Sequence, residues 1–269
     1  MKQSTLLMLA VLILSALLPA AAAEDSPFAV SMEKLTAHVW ICTLLDNERR
    51  ARDYYPLLES RDGLVLVDTP MYPSAARALK AYIIKELKRN DFILLINTHY
   101  HWDHTCGNQF FSEATIWGHE FTPIDMKRFS GENFPAFITA KRQHYGKKGD
   151  ARTLALLTEL ESEFHATPPS RTFWDKERIQ LGDLSLWLFH VGRDGAPPSL
   201  YNHSRSDIFV YVPQDRVLCC GDVHYRKEWL DGKPGELPID LFNGFLRFCS
   251  EQGYLIEYVL FAHDPFISK

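Results

Sequence analysis

The sequence predicts a single layered domain of the α/β class, and three observations support this prediction. The chain has 269 residues, of which 46% are hydrophobic, and this is enough to bury a large core. The segment 92–96 is a short, continuously apolar run of Phe, Ile and Leu, which is typical of a buried strand. The segment 151–165 carries Leu154, Leu157 and Leu160 at helical spacing, which predicts an amphipathic helix that packs on a sheet.

The first residues have the features of a secretory signal peptide. Lys2 gives a positive charge, positions 6–18 are almost wholly apolar, and positions 20–23 are small residues suited to cleavage. The apolar stretch is shorter than the roughly 20 residues that a membrane span needs. We therefore expect a signal peptide at 1–23 and one domain at 24–269, exported across the inner membrane to the periplasm, with no stable membrane anchor.

The segment 99–104, of sequence HYHWDH, is the most informative local feature of the chain. Three imidazoles and a carboxylate within six positions indicate a metal site rather than isolated polar residues. In an extended segment His99 and His101 point the same way, so one ion can bind both. Asp103 and His104 follow where the chain must turn, and they can reach a second ion nearby.

The pattern HxHxDH after an apolar strand resembles the signature of the metallo-β-lactamase fold superfamily. Further segments resemble the family's elements in their order: a strand ending in a buried Asp at 63–70, a helix at 74–88, a His-Ser turn and strand at 203–213, a strand ending in Gly-Asp at 216–222, and a late strand with a final His at 258–263. The resemblance implies a four-layer αββα fold, with two facing mixed β-sheets and helices outside. The region 117–173 is expected to be an insert of helices rather than strands.

The resemblance also implies a site for two zinc ions. The implied ligands of the first ion are His99, His101 and His203, those of the second are Asp103, His104 and His263, and Asp222 bridges the two. His190, which ends a strand-like run, is an alternative to His203 because the segment 192–202 is longer than the family usually has there. Asp222 is typical of thioesterases, lactonases and nucleases of this superfamily, whereas the β-lactamase subclasses most often discussed have Cys or Ser at that position.

The implied reaction is hydrolysis by a hydroxide that bridges the two metals, with Asp103 as the catalytic residue that orients it. The expected substrate is a small exported or envelope-accessible molecule with an ester, amide or thioester bond. Three alternatives remain open: an iron-dependent sulfur dioxygenase on the same fold, a β-lactamase proper, and a non-catalytic metal-binding module. The full second-metal set disfavours a single iron. Export favours a β-lactam, whereas Asp222 favours the other branches, so the bond is left open.

Charge and cysteine content limit the remaining classes. The formal net charge is −5, and no concentrated basic patch of the kind that phosphate backbones require is present, which argues against nucleic acid as a partner. The partner expected is a small-molecule substrate, and the oligomeric state is not predicted. The five cysteines are an odd number, so no disulfide framework can be assigned. Cys106 is interpreted as a small side chain that fills the turn after the motif, with metal contact as the alternative.

The expected helical insert contains two further sets of residues that could contact a substrate. Phe134, Phe137 and Tyr145 are interpreted as buried, although they could line a substrate opening. A basic set is interpreted as a solvated helix face, with contact to an anionic substrate as the alternative: Lys141, Arg142, Lys147 and Lys148.

Overall fold

A computed structural model describes residues 27–46, 52–192, 203–223, 239–264 and 267–268. The expected signal peptide and almost all of the segment 192–202 lie outside these residues. The strands are β1 (Phe28–Lys34), β2 (Val39–Asp46), β3 (Arg52–Glu59), β4 (Leu64–Val67), β5 (Phe92–Ile96), β6 (Thr115–His119), β7 (Arg171–Phe173), β8 (Lys176–Leu181), β9 (Leu184–His190), β10 (Ile208–Val212), β11 (Val217–Cys219), β12 (Tyr258–Leu260) and β13 (Ile267–Ser268). The helices are α1 (Pro73–Leu87), α2 (Trp102–Thr105), α3 (Phe121–Arg128), α4 (Phe134–Lys148), α5 (Ala151–Glu163) and α6 (Ile239–Glu251). A 3₁₀ helix, Cys106–Phe111, follows α2, and a π-helical turn, Phe129–Asn133, joins α3 to α4.

The described strands form two mixed sheets. The first has the order β1-β2-β3-β4-β5-β6-β7, in which β1 to β4 are antiparallel neighbours and β4 to β7 run parallel. The second has the order β13-β12-β11-β10-β9-β8 and is antiparallel except for the β11–β12 pair. Parallel neighbours need crossover connections, and α1 supplies the one between β4 and β5.

The two sheets face each other across one shared apolar core. Side chains from both sheets form this core, among them Val65 and Ile96 from the first and Leu186 and Val210 from the second. The outer face of the first sheet packs against α1, and the outer face of the second packs against α6 through Phe245. Helix, sheet, sheet and helix therefore form four layers, and the predicted αββα fold is confirmed.

Local sequence explains several elements on either side of the metal motif. The central strands β4 and β5 are almost continuously apolar because both of their faces are covered. Helix α1 has Pro73 in its first turn, where a missing N–H costs nothing, and it ends at Lys88 in the left-handed conformation. Helix α5 begins after Asp150, whose carboxylate accepts a hydrogen bond from the Thr153 N–H at 2.9 Å.

The region 117–173 differs from the sequence-based expectation at both ends. Strands β6 and β7 lie there and extend the first sheet, and only the part between them is helical. Strand β6 is short and contains Gly118, so its sequence gives a weak strand signal. Gly118 is nevertheless required by close packing, because a Cβ there would lie 2.9 Å from Pro169 Cγ.

The cysteines are all buried, and Cys42, Cys106, Cys219 and Cys220 form no disulfide. Cys106 packs beside Ile138 and Leu157 in a small apolar cluster, which confirms that it fills the turn after the motif. Burial raises the pKa of the Cys106 thiol well above its usual range, so the thiol stays protonated and unreactive. Within the described ranges, no helix is both long enough and apolar enough to cross a bilayer.

Candidate metal centre

Seven His and Asp side chains meet at the edge where the two sheets approach each other. The first sheet contributes the segment after β5, which carries the HYHWDH motif and α2. The second sheet contributes residues just before β10, after β11 and after β12. The backbone joins the two sheets at this edge, where the Ile208 N–H donates to the Thr98 carbonyl at 2.8 Å. The seven are His99, His101, Asp103, His104, His203, Asp222 and His263, and all of the implied ligands are therefore brought together.

The first group consists of His99, His101 and His203. Their ligand atoms lie within 4.8 Å of one another, and His101 Nδ1 is 2.7 Å from His203 Nε2. His203 is held by the turn that follows it, because Asp207 accepts hydrogen bonds from Ser204 N–H at 2.6 Å and from Ser204 Oγ at 2.7 Å. Three imidazole nitrogens thus converge on one point from two different sheets.

The second group consists of Asp103, His104 and His263, and Asp222 lies between the two groups. One oxygen of Asp222, Oδ2, is 3.3 Å from His203 Nε2 in the first group. Its other oxygen, Oδ1, is 3.3 Å from the Nε2 atoms of both His104 and His263 in the second group. The carboxylate of Asp222 therefore presents one oxygen to each group, as a ligand shared by two ions would.

Hydrogen bonds behind the cluster fix which ring nitrogen of each histidine faces inward. Asp68 accepts from the His104 Nδ1–H at 3.0 Å and from the Thr98 hydroxyl at 2.7 Å. Because that hydroxyl donates to Asp68, its oxygen accepts from the Nδ1–H of His99 at 3.1 Å. The Nε2 atoms of His99 and His104 are consequently the ones that face the cluster.

His263 is oriented in the same way by a residue of the first sheet. Its Nδ1–H donates to Asp53 Oδ1 at 2.8 Å, and its Nε2 lies 3.4 Å from Asp103 Oδ2. The neighbouring backbone supports this arrangement, since the Tyr54 N–H donates to the Ala262 carbonyl at 2.7 Å. Asp53 was not singled out by the sequence. It lies 210 positions from His263, and no local pattern links the two residues.

The charges of the cluster divide between its two sides. Burial and the neighbouring imidazoles of His104 and His101 lower the pKa of His99 well below its usual range, and burial lowers the pKa of His101 to about 4. Burial also acts to lower the pKa of His104, but Asp222 and Asp68 outweigh it and raise that pKa. Burial would raise the pKa of Asp103, yet His104 and His263 lower it to about 2. In the first group His99 and His101 are thus neutral, and the second group pairs imidazolium with carboxylate.

The nitrogen and oxygen atoms that face one another in the cluster are better suited to binding a metal ion than to hydrogen-bonding each other. The Nε2 of His99 is completely buried and makes no hydrogen bond to the described residues. The Nε2 of His104 is also buried, and its 3.3 Å contact with Asp222 lacks hydrogen-bond geometry. Such atoms are costly to bury unless a ligand satisfies them. Imidazole nitrogen and carboxylate oxygen with no thiolate suit zinc, and the neutral imidazoles of His99 and His101 have the lone pairs that ligation requires.

His190 lies apart from this cluster. Its ring stacks on His119 with centroids 3.6 Å apart, and its Nε2–H donates to the Arg205 carbonyl at 3.0 Å. His119 in turn bonds the Trp174 carbonyl through Nε2 at 2.8 Å. Of the two sequence-based alternatives for the first group, the structure thus brings His203 to the cluster. His190 instead packs against the turn that carries His203.

A family model described as the metallo-β-lactamase superfamily matches residues 56–252. A curated relative, "Acyl-coenzyme A thioesterase MBLAC2" from Gallus gallus, is 26% identical over 144 residues. The match covers 53% of this chain and 45% of the relative, so the chain spans less than half of that protein's length.

Solved structures resemble the chain over most of its length. A metallo-β-lactamase from Pontibacter korlensis has a TM-score of 0.62 at 17% identity and covers 89% of this chain and 94% of its own. The metallo-β-lactamase FIM-1 from Pseudomonas aeruginosa, in its mono-zinc form, has a TM-score of 0.57 at 16% identity, with 92% of each chain covered. At these identities the likeness concerns the fold. Because the family model spans most of the sequence, this chain belongs to the metallo-β-lactamase superfamily, whose members include metallohydrolases.

Proposed function

We propose that this protein is an exported, zinc-dependent hydrolase that cleaves an ester or thioester bond in a small molecule. The observation that carries the proposal is the position of Asp222 between two groups of ligands. Its two carboxylate oxygens face different groups, and each group would be complete for one ion with this carboxylate included. A site that serves only storage does not need two groups that share a ligand.

Different residues of the chain would bind each of the two ions. His99, His101 and His203 would hold one zinc ion, Asp103, His104 and His263 the other, and Asp222 would contact both. A dinuclear zinc centre supplies, when bound, a nucleophile at neutral pH and a Lewis acid for the bond under attack. Asp68 and Asp53 keep the imidazoles of the second group in the required orientation.

Asp103 is the residue proposed to act on the reacting water. Its pKa of about 2 keeps it a carboxylate at neutral pH, and its side chain is 35% exposed. Its Oδ2 lies 3.4 Å from His263 Nε2, at the inner face of the second group. A carboxylate in this position accepts a hydrogen bond from the attacking water and orients it toward the substrate.

Two features favour an ester or thioester over a β-lactam amide. The residue between the two groups is Asp222, and neither Cys nor Ser occupies that position. The curated relative is named as an acyl-coenzyme A thioesterase, whereas the β-lactamases similar in structure support the fold alone. An iron-dependent dioxygenase would leave the second group without a purpose.

The export of the protein is proposed from its first 23 residues. It can be tested by expressing the full chain in a Gram-negative host and measuring the mass of the protein in the periplasmic fraction. A mature protein that begins at Glu24 supports export. An uncleaved protein confined to the cytoplasm rejects it.

The hydrolase proposal is tested by assaying the zinc-loaded protein against a thioester, an aryl ester, a lactone, nitrocefin and a phosphodiester. Asp103→Ala should lower the turnover of the cleaved substrate by at least about 100-fold. A matched control is Asp62→Ala, since Asp62 is exposed at the opposite end of β4 from Asp68. Loss of turnover in Asp103→Ala but not in Asp62→Ala supports the role of Asp103. Unchanged turnover and metal content in Asp103→Ala would show that its role is assigned wrongly.

A further inference from the structure

A cavity of about 400 Å³ opens directly beside the metal centre. Its wall is shared with the first ligand group through His101, so a molecule in the cavity lies next to that group. The cavity is lined by Tyr100, His101, Trp102, Asp125, Arg128, Phe129 and Asn133. Tyr100 and Trp102 flank His101 in the motif, and the remaining four residues come from α3 and from the π-helical turn after it. The size is that of a pocket for a small organic ligand.

One wall of the cavity is aromatic and held in place from behind. The Trp102 ring lies 4.3 Å from Phe129 in an edge-to-face arrangement, and 3.6 Å from Phe137. Phe129 also packs edge-to-face on Phe134, at 5.9 Å. Because these rings support one another, the apolar wall exists before a ligand arrives.

The charge on the polar side of the cavity is positive. The carboxylate of Asp125 is already paired, since Arg205 donates hydrogen bonds to its two oxygens at 2.8 and 2.5 Å. The side chain of Arg128 is exposed, and its guanidinium makes no ion pair or hydrogen bond with any residue that the structure describes. The carboxylate in the cavity is thus neutralised from outside, and the guanidinium of Arg128 is left to attract an anion.

Tyr100 adds a neutral hydrogen-bond donor to this side. Its hydroxyl has no partner within the described part of the chain. A phenol hydroxyl is protonated at neutral pH and can donate a hydrogen bond to a ligand in the cavity. The lining therefore combines a hydroxyl and a guanidinium with aromatic rings, which makes the pocket amphipathic.

We propose that this cavity binds the part of the substrate that carries a carboxylate on an apolar body. Arg128 binds the carboxylate, and Trp102 and Phe129 contact the apolar body, which places the bond to be cleaved beside His101. The statement that the bound molecule is a substrate rests on the proposed hydrolase function. The statement that the cavity binds an anion does not depend on that function. The preference for a carboxylate is therefore measured both by binding and by turnover.

Binding is measured by isothermal titration of the zinc-loaded protein with phenylacetate and with phenylacetamide, which have the same shape and differ in charge. The wild type should bind phenylacetate about tenfold more tightly. Arg128→Gln should lose most of this preference and Arg128→Lys should keep much of it. Lys127→Gln is the matched control, because it removes a charge from the adjacent exposed position outside the cavity. An equal loss in Arg128→Gln and Lys127→Gln, or no preference in the wild type, overturns the proposal.

Turnover separates failure of this inference from failure of the proposed function. The substrates are the mono-4-nitrophenyl ester of glutaric acid and 4-nitrophenyl valerate, which have acyl chains of equal length with and without a terminal carboxylate. A higher kcat/KM for the glutarate ester, lost in Arg128→Gln through KM rather than kcat, supports the proposal. Hydrolysis of both esters without dependence on Arg128 overturns the cavity's role and leaves the hydrolase intact. Binding preference without any hydrolysis supports the cavity and rejects the hydrolase.

Discussion

At the scale of single residues, the most consequential side chain behind the metal centre is Asp68. It is buried, and its φ of 64° lies in the left-handed region, which costs a residue with a side chain about 1–2 kcal/mol. In this conformation its carboxylate receives the Thr98 N–H at 2.7 Å as well as the His104 imidazole at 3.0 Å. The strain is therefore offset by contacts that orient two of the implied ligands.

We expect Asp68→Asn to weaken zinc binding by about 10- to 100-fold, because an amide cannot accept all of these hydrogen bonds. Asp53→Asn should weaken it less. Asp53 holds His263, whose side chain is 25% exposed, whereas the His104 held by Asp68 is 1% exposed. The measurement is a competition titration with a chromophoric chelator. Equal losses in the two variants would contradict the ranking.

Gly221 offers a second prediction at the residue scale. It has a φ of 55°, and a Cβ there would lie 2.5 Å from Thr98 Oγ1, next in the chain to Asp222. Gly221→Ala should therefore lower both the melting temperature and the zinc content. Gly253→Ala is the control, because Gly253 also has a positive φ, of 74°, but open space around it. Gly253→Ala should lower only stability, by about 1–2 kcal/mol. Full zinc content in Gly221→Ala would contradict this account.

At the scale of elements, helix α5 supports the aromatic wall without touching the ligands. Its Leu157 and Leu160 pack with Ile138 of α4 in the cluster that Trp102 and Phe137 border. The helix starts at Asp150, which accepts from both the N–H and the hydroxyl of Thr153, at 2.9 and 2.7 Å. The start of α5 is thus specified by the side chain of Asp150, which is not one of the implied metal ligands.

Asp150→Ala should destabilise the protein by about 1 kcal/mol, because it removes this N-terminal cap. Asp150→Asn keeps a capping oxygen and should be close to the wild type. The free energy of unfolding of the zinc-loaded wild type and of both variants is measured by urea denaturation. The zinc content should be the same in these three proteins. A loss in Asp150→Asn as large as in Asp150→Ala would show that charge rather than capping matters there.

The sequence predicted those elements whose signal is local. Strand β5 was predicted at its observed bounds, and the helix predicted at 74–88 is observed at Pro73–Leu87. The metal site could be predicted from the HYHWDH motif because this one segment carries four of the seven clustered residues. The family resemblance supplied the other three.

Other features depend on how distant segments dock, so no local pattern could reveal them. Asp53 reaches His263 only after β3 and β12 are placed in facing sheets. Arg128 becomes the cation of the cavity because Arg205 neutralises Asp125, which is 80 positions earlier in the chain. Of the basic residues considered from the sequence, Lys147 and Lys148 are exposed on α4, whereas Arg142 forms an ion pair with Glu161 of α5 at 2.7 Å. Strands β6 and β7 were missed because each is short and is stabilised by its neighbours in the sheet.

At the scale of the whole molecule, the metal centre joins the two sheets. Its ligands come from segments of both sheets, so ions bound there would connect the layers and favour the folded chain. We start with the protein in free zinc at a thousandfold excess over the Kd. Removing this zinc with a chelator should lower the melting temperature by about 10 °C. Zinc added back should restore the value, and magnesium should not. An unchanged melting temperature after verified zinc removal would contradict this coupling.

The other proposed roles depend on a dinuclear zinc centre that hydrolyses a substrate. The decisive measurement is the metal content of the purified mature protein by inductively coupled plasma mass spectrometry, with the hydrolysis assays run on the same preparation. We expect about two zinc ions per chain and turnover of an ester or thioester. One iron per chain without hydrolysis of any substrate would contradict this expectation.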